Sequence, residues 1–202
     1  MTLSGVERSH ILDLARAHIR RALRVDNVVP EFADEVLRQP AGCFVTLHTL
    51  HGRRLRGCVG RIDASQPLAE ALHAASLSVL RDPRFSREPI LAEELAWLEI
   101  EVSVLSAPWP ASHALDFEPL EQGIYLTVGE RTGCFLPQVA RETGWTREQL
   151  LDRLCLEKLG LPAGTWRQEN ARLHVFSTIV VGPEEFEPAV HAGQIGKHQG
   201  HG

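Results

Sequence analysis

The sequence predicts an α+β fold, a mainly antiparallel sheet with flanking helices. Strand-like stretches come in pairs joined by short Gly-containing turns, as hairpins, rather than singly between helices. Two further stretches, residues 97–105 and 172–181, alternate apolar and polar side chains at period two, the mark of half-buried strands. Helices interleaved with hairpins favour this class over a doubly wound parallel sheet.

Each element follows from local signals. Residues 7–24 set Ile11, Ala15, Ile19, Ala22 and Leu23 at helical spacing between Arg and Asp residues, which predicts an amphipathic helix. A loop containing Pro30 and Pro40 follows. Residues 42–49 and 54–60 are rich in strand formers and are joined around His51-Gly52, a hairpin. Ser65 and Pro67 open a second helix, with Ser65 as its expected N-cap and Leu68, Ala71, Leu72, Ala75 and Val79 as its stripe. Asp82-Pro83 stops it.

In residues 97–105, Leu98, Ile100, Val102 and Val104 point one way; Glu99, Glu101 and Ser103 point the other. A Pro-rich stretch at 107–119 is the expected boundary between lobes. A second hairpin turns at Gly129-Glu130. Thr146 and Gln149 form a capping box for the last helix, stapled by Trp145 and Leu150 and ended near Gly160. One domain over residues 1–182 is expected, followed by a flexible Gly/His-rich tail at 183–202.

Composition narrows the function. The chain has 202 residues, 44% hydrophobic and 23% charged, enough to bury a sizeable core. A formal net charge of -5 argues against a general nucleic-acid or membrane-surface binder. No apolar run is long enough to span a bilayer, and residues 1–24 lack the apolar stretch of a signal peptide. The four cysteines form no C-x-x-C pair, so neither a disulfide framework nor a zinc knuckle is readable. A reducing, cytoplasmic setting is the simplest expectation. Cofactor signatures (P-loop, G-x-G-x-x-G, H-E-x-x-H, G-x-S-x-G) are absent from the sequence, so no cofactor is evident. The histidines have no ligand spacing outside the loose tail set His191, His198 and His201, so no metal site is expected.

The cysteines are not equivalent. Around Cys58, period two sets Leu55, Gly57 and Val59 on one face and Arg54, Arg56 and Cys58 on the other. Cys58 is therefore expected on a basic face, where guanidinium groups stabilise a thiolate, the nucleophilic form. Gly57 and Gly60 are expected to leave room for a substrate's approach. The residues alone keep a second reading open, in which Cys58 is a small buried hydrophobe. Cys43 travels with Val45 and Leu47, and Cys155 with Leu151, Leu154 and Leu159, both core positions; Cys134 is ambiguous. Arg53, Arg54, Arg56 and Arg61 cluster around the cysteine and Arg81, Arg84 and Arg87 around Asp82-Pro83; guanidinium forks suit carboxylate or phosphate, or simply form a solvated surface. Glu99 and Glu101 offer a general base or partners for an Arg, or an ordinary solvent face.

Leu55-Arg-Gly-Cys-Val-Gly60 resembles the signature of the AMMECR family, known in prokaryotes as AmmeMemoRadiSam system protein A. In the right order, residues 42–47, 67–71, 81–85, 98–106 and 135–139 resemble further family motifs, and Trp166 and the final strand fit. The resemblance covers about residues 7–182. It implies a single AMMECR fold: a larger lobe from both chain ends, a smaller inserted lobe and a cleft between them. It also implies the motif cysteine, Cys58, as the active-site residue; it implies no particular reaction. Cys134 and the His-rich tail depart from the family pattern.

Three functions are weighed. The first is a cysteine-dependent enzyme with Cys58 as nucleophile or redox thiol, Glu99 or Glu101 as base, and Arg56, Gly57, Gly60, Arg61 and Arg84 binding a small anionic substrate. The second is a non-catalytic interaction module, partnering a Memo-like or radical-SAM protein by family association. Nucleic-acid binding through the Arg cluster comes last, because a basic stripe with interleaved aromatics is missing.

Overall fold

The computed structural model describes residues 2–187. Helix α1 (Gly5–Ala22) starts at a capping box in which Ser4 and Glu7 satisfy each other's backbone N–H groups, and it buries Ile11, Leu12, Ala15 and Ile19. A short α2 (Glu35–Arg38) follows. The first hairpin is β1 (Gly42–Thr49) and β2 (Leu55–Arg61). Its turn carries Gly52 and Arg53 in the left-handed region, at φ 78° and 45°. Helix α3 (Leu68–Val79) is capped at Pro67, not at Ser65, whose hydroxyl is taken by Asp63 at 2.6 Å.

Then come β3 (Leu98–Leu105), the two-residue β4 (Trp109–Pro110), and the second hairpin, β5 (Gln122–Val128) and β6 (Arg131–Phe135). Helix α4 (Pro137–Thr143), absent from the expectations above, has Pro at its start and Gly144 in the left-handed region after its end. Helix α5 (Arg147–Leu154) has the expected Thr146–Gln149 capping box. The last strand, β7 (Ala171–Glu185), is longer than the alternation predicts. Of the expected tail, residues 183–185 belong to this strand and Phe186 is buried; residues 188–202, with the tail histidines, lie outside the described residues.

All pairings are antiparallel, in the order β2-β1-β3-β7-β5-β6. β7 carries β3 on its C-terminal half and β5 on its N-terminal half, so one strand runs through both ends of a curled sheet. Two hydrophobic cores lie along it. The larger gathers α1, α3, the β1–β3 face of Val45, Leu47, Ile100 and Val102, and Val181 and Phe186 from the chain's far end. The smaller gathers Ile124, Leu126, Phe135, α5 and Trp166. The fold is α+β, as the hairpin pattern predicts. Among the described residues no helix is long and apolar enough to cross a membrane.

Candidate functional site

β1 has one oily and one polar face, and register decides what shares the polar one. Val45 and Leu47 point into the larger core, so Thr46 and His48 point away from it. Thr46 stands opposite Cys58 of β2 on one side and Glu101 of β3 on the other; His48 stands opposite Glu99. Cys58, Thr46 and Glu101 therefore form one row across three strands. The Thr46 hydroxyl donates to Cys58 Sγ at 3.3 Å. Cys58 itself is half-buried, whereas Cys43 on the oily face is 1% exposed and Cys155 in the smaller core 0%.

β2 is an edge strand, and its outer side at Cys58 is closed by side chains. Asp82, 3% exposed, accepts the Cys58 N–H at 3.0 Å. Arg84 donates to the Cys58 carbonyl at 3.0 Å and to Asp82 at 2.6 Å. The two residues stand in for a neighbouring strand over one residue, which fixes the cysteine backbone and blunts the edge. Burial works against the Asp82 carboxylate, but hydrogen bonds from the Arg84 side chain, the Cys58 N–H and the Arg84 N–H outweigh it and hold its pKa below the usual value. The Asp-Pro-Arg segment, read from sequence as a helix stop, thus belongs to the cysteine.

Four of the expected substrate-binding positions are corrected. A β-bulge in the β1–β2 pairing pairs His48 with Leu55 and leaves Arg56 without a cross-strand partner. Its side chain, 11% exposed, turns to Glu94 (Nη2 to Oε2, 3.0 Å) and the Glu88 carbonyl (2.9 Å). Arg61 stands opposite Cys43, so it belongs to the other face, and it pairs with Asp63 at 3.0 Å. Gly57 and Gly60 are not openings. A Cβ on Gly57 would lie 2.9 Å from the carbonyl oxygen and a methyl of Val79 on α3; one on Gly60 would lie 2.0 Å from the Cys43 carbonyl and 2.6 Å from the Phe44 ring. Both glycines serve close packing. Arg84 does reach the cysteine, but through its backbone.

The guanidinium facing the acidic pair is Arg53, whose Nε lies 2.9 Å from Glu99 Oε1 without the alignment of a hydrogen bond. Burial pushes the Glu101 carboxyl above its ordinary value; Arg53 and Gln138 oppose it, while Glu99 and Glu142 add to it. Burial and Arg53 push His48 below its ordinary value, against the two glutamates. Gln138 and Glu142 come from α4, and Gln138 donates to the buried Ser103 at 3.2 Å. Among the described residues, eight side-chain atoms are buried without hydrogen-bond partners. Five of them (His48 Nδ1, Glu99 Oε1, Gln138 Oε1, His174 Nδ1 and Thr178 Oγ1) belong to the polar face or to the helix laid over it, and three (Arg16 Nε, Arg56 Nη1 and Ser76 Oγ) lie elsewhere. Buried polar atoms are rarely left unpaired, so this concentration marks a region built for something other than packing.

Cys134 of β6 stands opposite Tyr125, which stands opposite His174, on the same side of the sheet. Burial pushes its thiol up to about 11, opposed by Lys158 and aided by Cys58. Burial pushes Cys43 up to about 12 and raises Cys155. Among the described residues no three His, Cys, Asp or Glu side chains converge on a metal position. A depression of about 520 Å³ lies between residues 62–65, after β2, and Tyr125. A larger one, about 740 Å³, lies beyond the smaller core around Arg131 and Arg167, away from the cysteine row.

Sequence reasoning reached Cys58, Glu99 and Glu101. It missed Thr46, for want of cross-strand register, and Gln138 and Glu142, for want of the helix that carries them. Pro137 and Gly144 were the available signals for that helix.

The AMMECR1 family model matches residues 12–181. Protein MJ0810 of Methanocaldococcus jannaschii is 37% identical over 86% of this chain and 88% of its own. Protein Ta0236 of Thermoplasma acidophilum is 32% identical over 88% and 87%. The crystal structure of the uncharacterized protein PH0010 from Pyrococcus horikoshii superposes with a TM-score of 0.74 at 31% identity, covering 84% of this chain and 88% of that one.

Proposed function

The chain belongs to the AMMECR1 family, and on that premise we propose that it is a cysteine-dependent enzyme of the cytoplasm, with Cys58 as nucleophile. The supporting observation is the row Cys58–Thr46–Glu101: a half-buried thiol that accepts a hydroxyl hydrogen bond at 3.3 Å, with a carboxyl two strands away. Strand spacing sets the outer two residues roughly 10 Å apart. A substrate atom lying over Thr46 is then flanked by sulfur on one side and carboxyl on the other, the arrangement of a nucleophile and a proton-transfer group. Glu101, pushed up by burial, is the better proton carrier of the two strand glutamates.

The expectation of a small anionic substrate now rests on Arg53, which pairs with Glu99 without an aligned hydrogen bond, whereas Arg56, Arg61 and Arg84 are hydrogen-bonded to Glu94, Asp63 and Asp82. The test is a panel of small electrophiles with and without a carboxylate, reacted with the wild type, Cys58→Ser and Arg53→Gln. Loss of the adduct in Cys58→Ser, with a preference for the anionic probes that Arg53→Gln abolishes, is the expected outcome. A labelling pattern indifferent to Cys58 removes the enzyme reading. It leaves the interaction module, which predicts that Cys58→Ser is silent in partner binding.

A further inference from the structure

A second constellation lies on the far side of the larger core from the cysteine row. His18 of α1 and His73 of α3 are 55 residues apart in sequence, which is why no spacing motif betrays them. The two helices are clamped together through Ile11, Ala15, Leu68, Leu72 and Ala75 in one core. Their polar edges then meet, and the Nδ1 atoms of the two rings lie 3.1 Å apart with the rings close to perpendicular, at 74°. Two imidazoles that point nitrogens at each other share a single proton, because at least one Nδ1 must present a lone pair. The pair lines a groove of about 660 Å³ between the helices, floored by Leu14, Phe32 and Leu37, into which Glu70 also faces.

We propose that His18 and His73 form a bidentate imidazole site for a borderline divalent cation such as Zn2+, Ni2+ or Cu2+. A cation bound by two imidazoles at about 2.0–2.1 Å with a near-tetrahedral or right angle holds the two nitrogens about 2.8–3.4 Å apart. The observed 3.1 Å falls inside that interval, and with the helices fixed a rotation of the rings turns both lone pairs from each other onto the ion. Nitrogen donors select these cations over Mg2+ or Ca2+, which prefer oxygen. On binding, the ring that now donates moves its proton from Nδ1 to Nε2. Both Nδ1 lone pairs then go to the cation, and no net proton is released. Among the described residues the protein supplies no third ligand at this position. The remaining coordination sites belong to water, and the ion is exchangeable.

The experiment is a calorimetric titration of the full chain with Ni2+, in a background where His191, His198 and His201 are replaced by Gln so that the tail contributes nothing. The expected result is one Ni2+ per chain, with affinity lowered at least about tenfold in both His18→Gln and His73→Gln. Far-UV circular dichroism checks folding of each variant. Should His18→Gln misfold, His73→Gln, whose ring is exposed, decides alone. Absence of binding in the background protein, or binding that survives either substitution, overturns the site.

Discussion

The two faces of the β1–β3 sheet are made from alternating residues of the same strands, yet they are finished differently. On one, Val45, Leu47, Ile100 and Val102 are fully buried against α1 and α3, and Gly57 lets Val79 in to contact. On the other, Cys58, Thr46, His48, Glu99 and Glu101 stand in rows, and buried polar atoms remain without partners. The first face is where stability is made; each fully buried aliphatic side chain contributes about 1.5–3 kcal/mol. The second departs from full pairing, which a structure tolerates where function requires it.

Neighbouring substitutions separate the two. Leu47→Ala on the oily face is expected to cost about 3 kcal/mol in urea unfolding and to leave the Cys58 labelling rate of the folded protein intact. Asp82→Ala, which strands the Cys58 N–H and frees the Arg84 guanidinium to solvent, is expected to cost about 2 kcal/mol. It also changes Cys58 labelling, because the clamp fixes the cysteine backbone. A loss of labelling in Leu47→Ala with none in Asp82→Ala would erase the distinction.

How far the distinction was legible depends on how local its cause is. Period two alone separates Cys43 from Cys58 and Glu101 from Ile100, and the capping box at Thr146 marks its helix; the one at Ser4 went unread. The basic character of the Cys58 face was not legible. A bulge turns Arg56 toward Glu94, and Arg61 has the opposite parity. The bulge is a matter of hairpin register, which no local pattern gives, whereas the parity of Arg61 was already readable from period two. The Thr46–Cys58 contact and the Asp82 clamp are likewise products of register and of the loop after α3, not of any local pattern.

Smaller effects sharpen the comparison further. The Glu101 carboxyl is raised in the folded chain. Above the ordinary Glu value the folded state therefore keeps a proton that the unfolded chain has lost, and stability falls as pH rises through that window. Glu101→Gln is expected to flatten this fall, read as urea midpoints across the acid-to-neutral range. Glu99→Gln, which removes a smaller contribution than burial, is expected to leave most of it in place. Thr46→Val removes one hydroxyl hydrogen bond and is expected to cost only about 1 kcal/mol, while altering the rate of Cys58 alkylation; an unchanged rate would make the Thr46 contact incidental.

The most direct test sets Cys58 against Cys134, since both are half-buried on the same side of the sheet. Iodoacetamide labelling of the folded protein at neutral pH, mapped by mass spectrometry, should modify Cys58 at least about tenfold faster than Cys134, whose thiol is pushed up to about 11. Equal rates at the two thiols, or faster labelling of Cys134, would contradict the assignment of Cys58 as the reactive group.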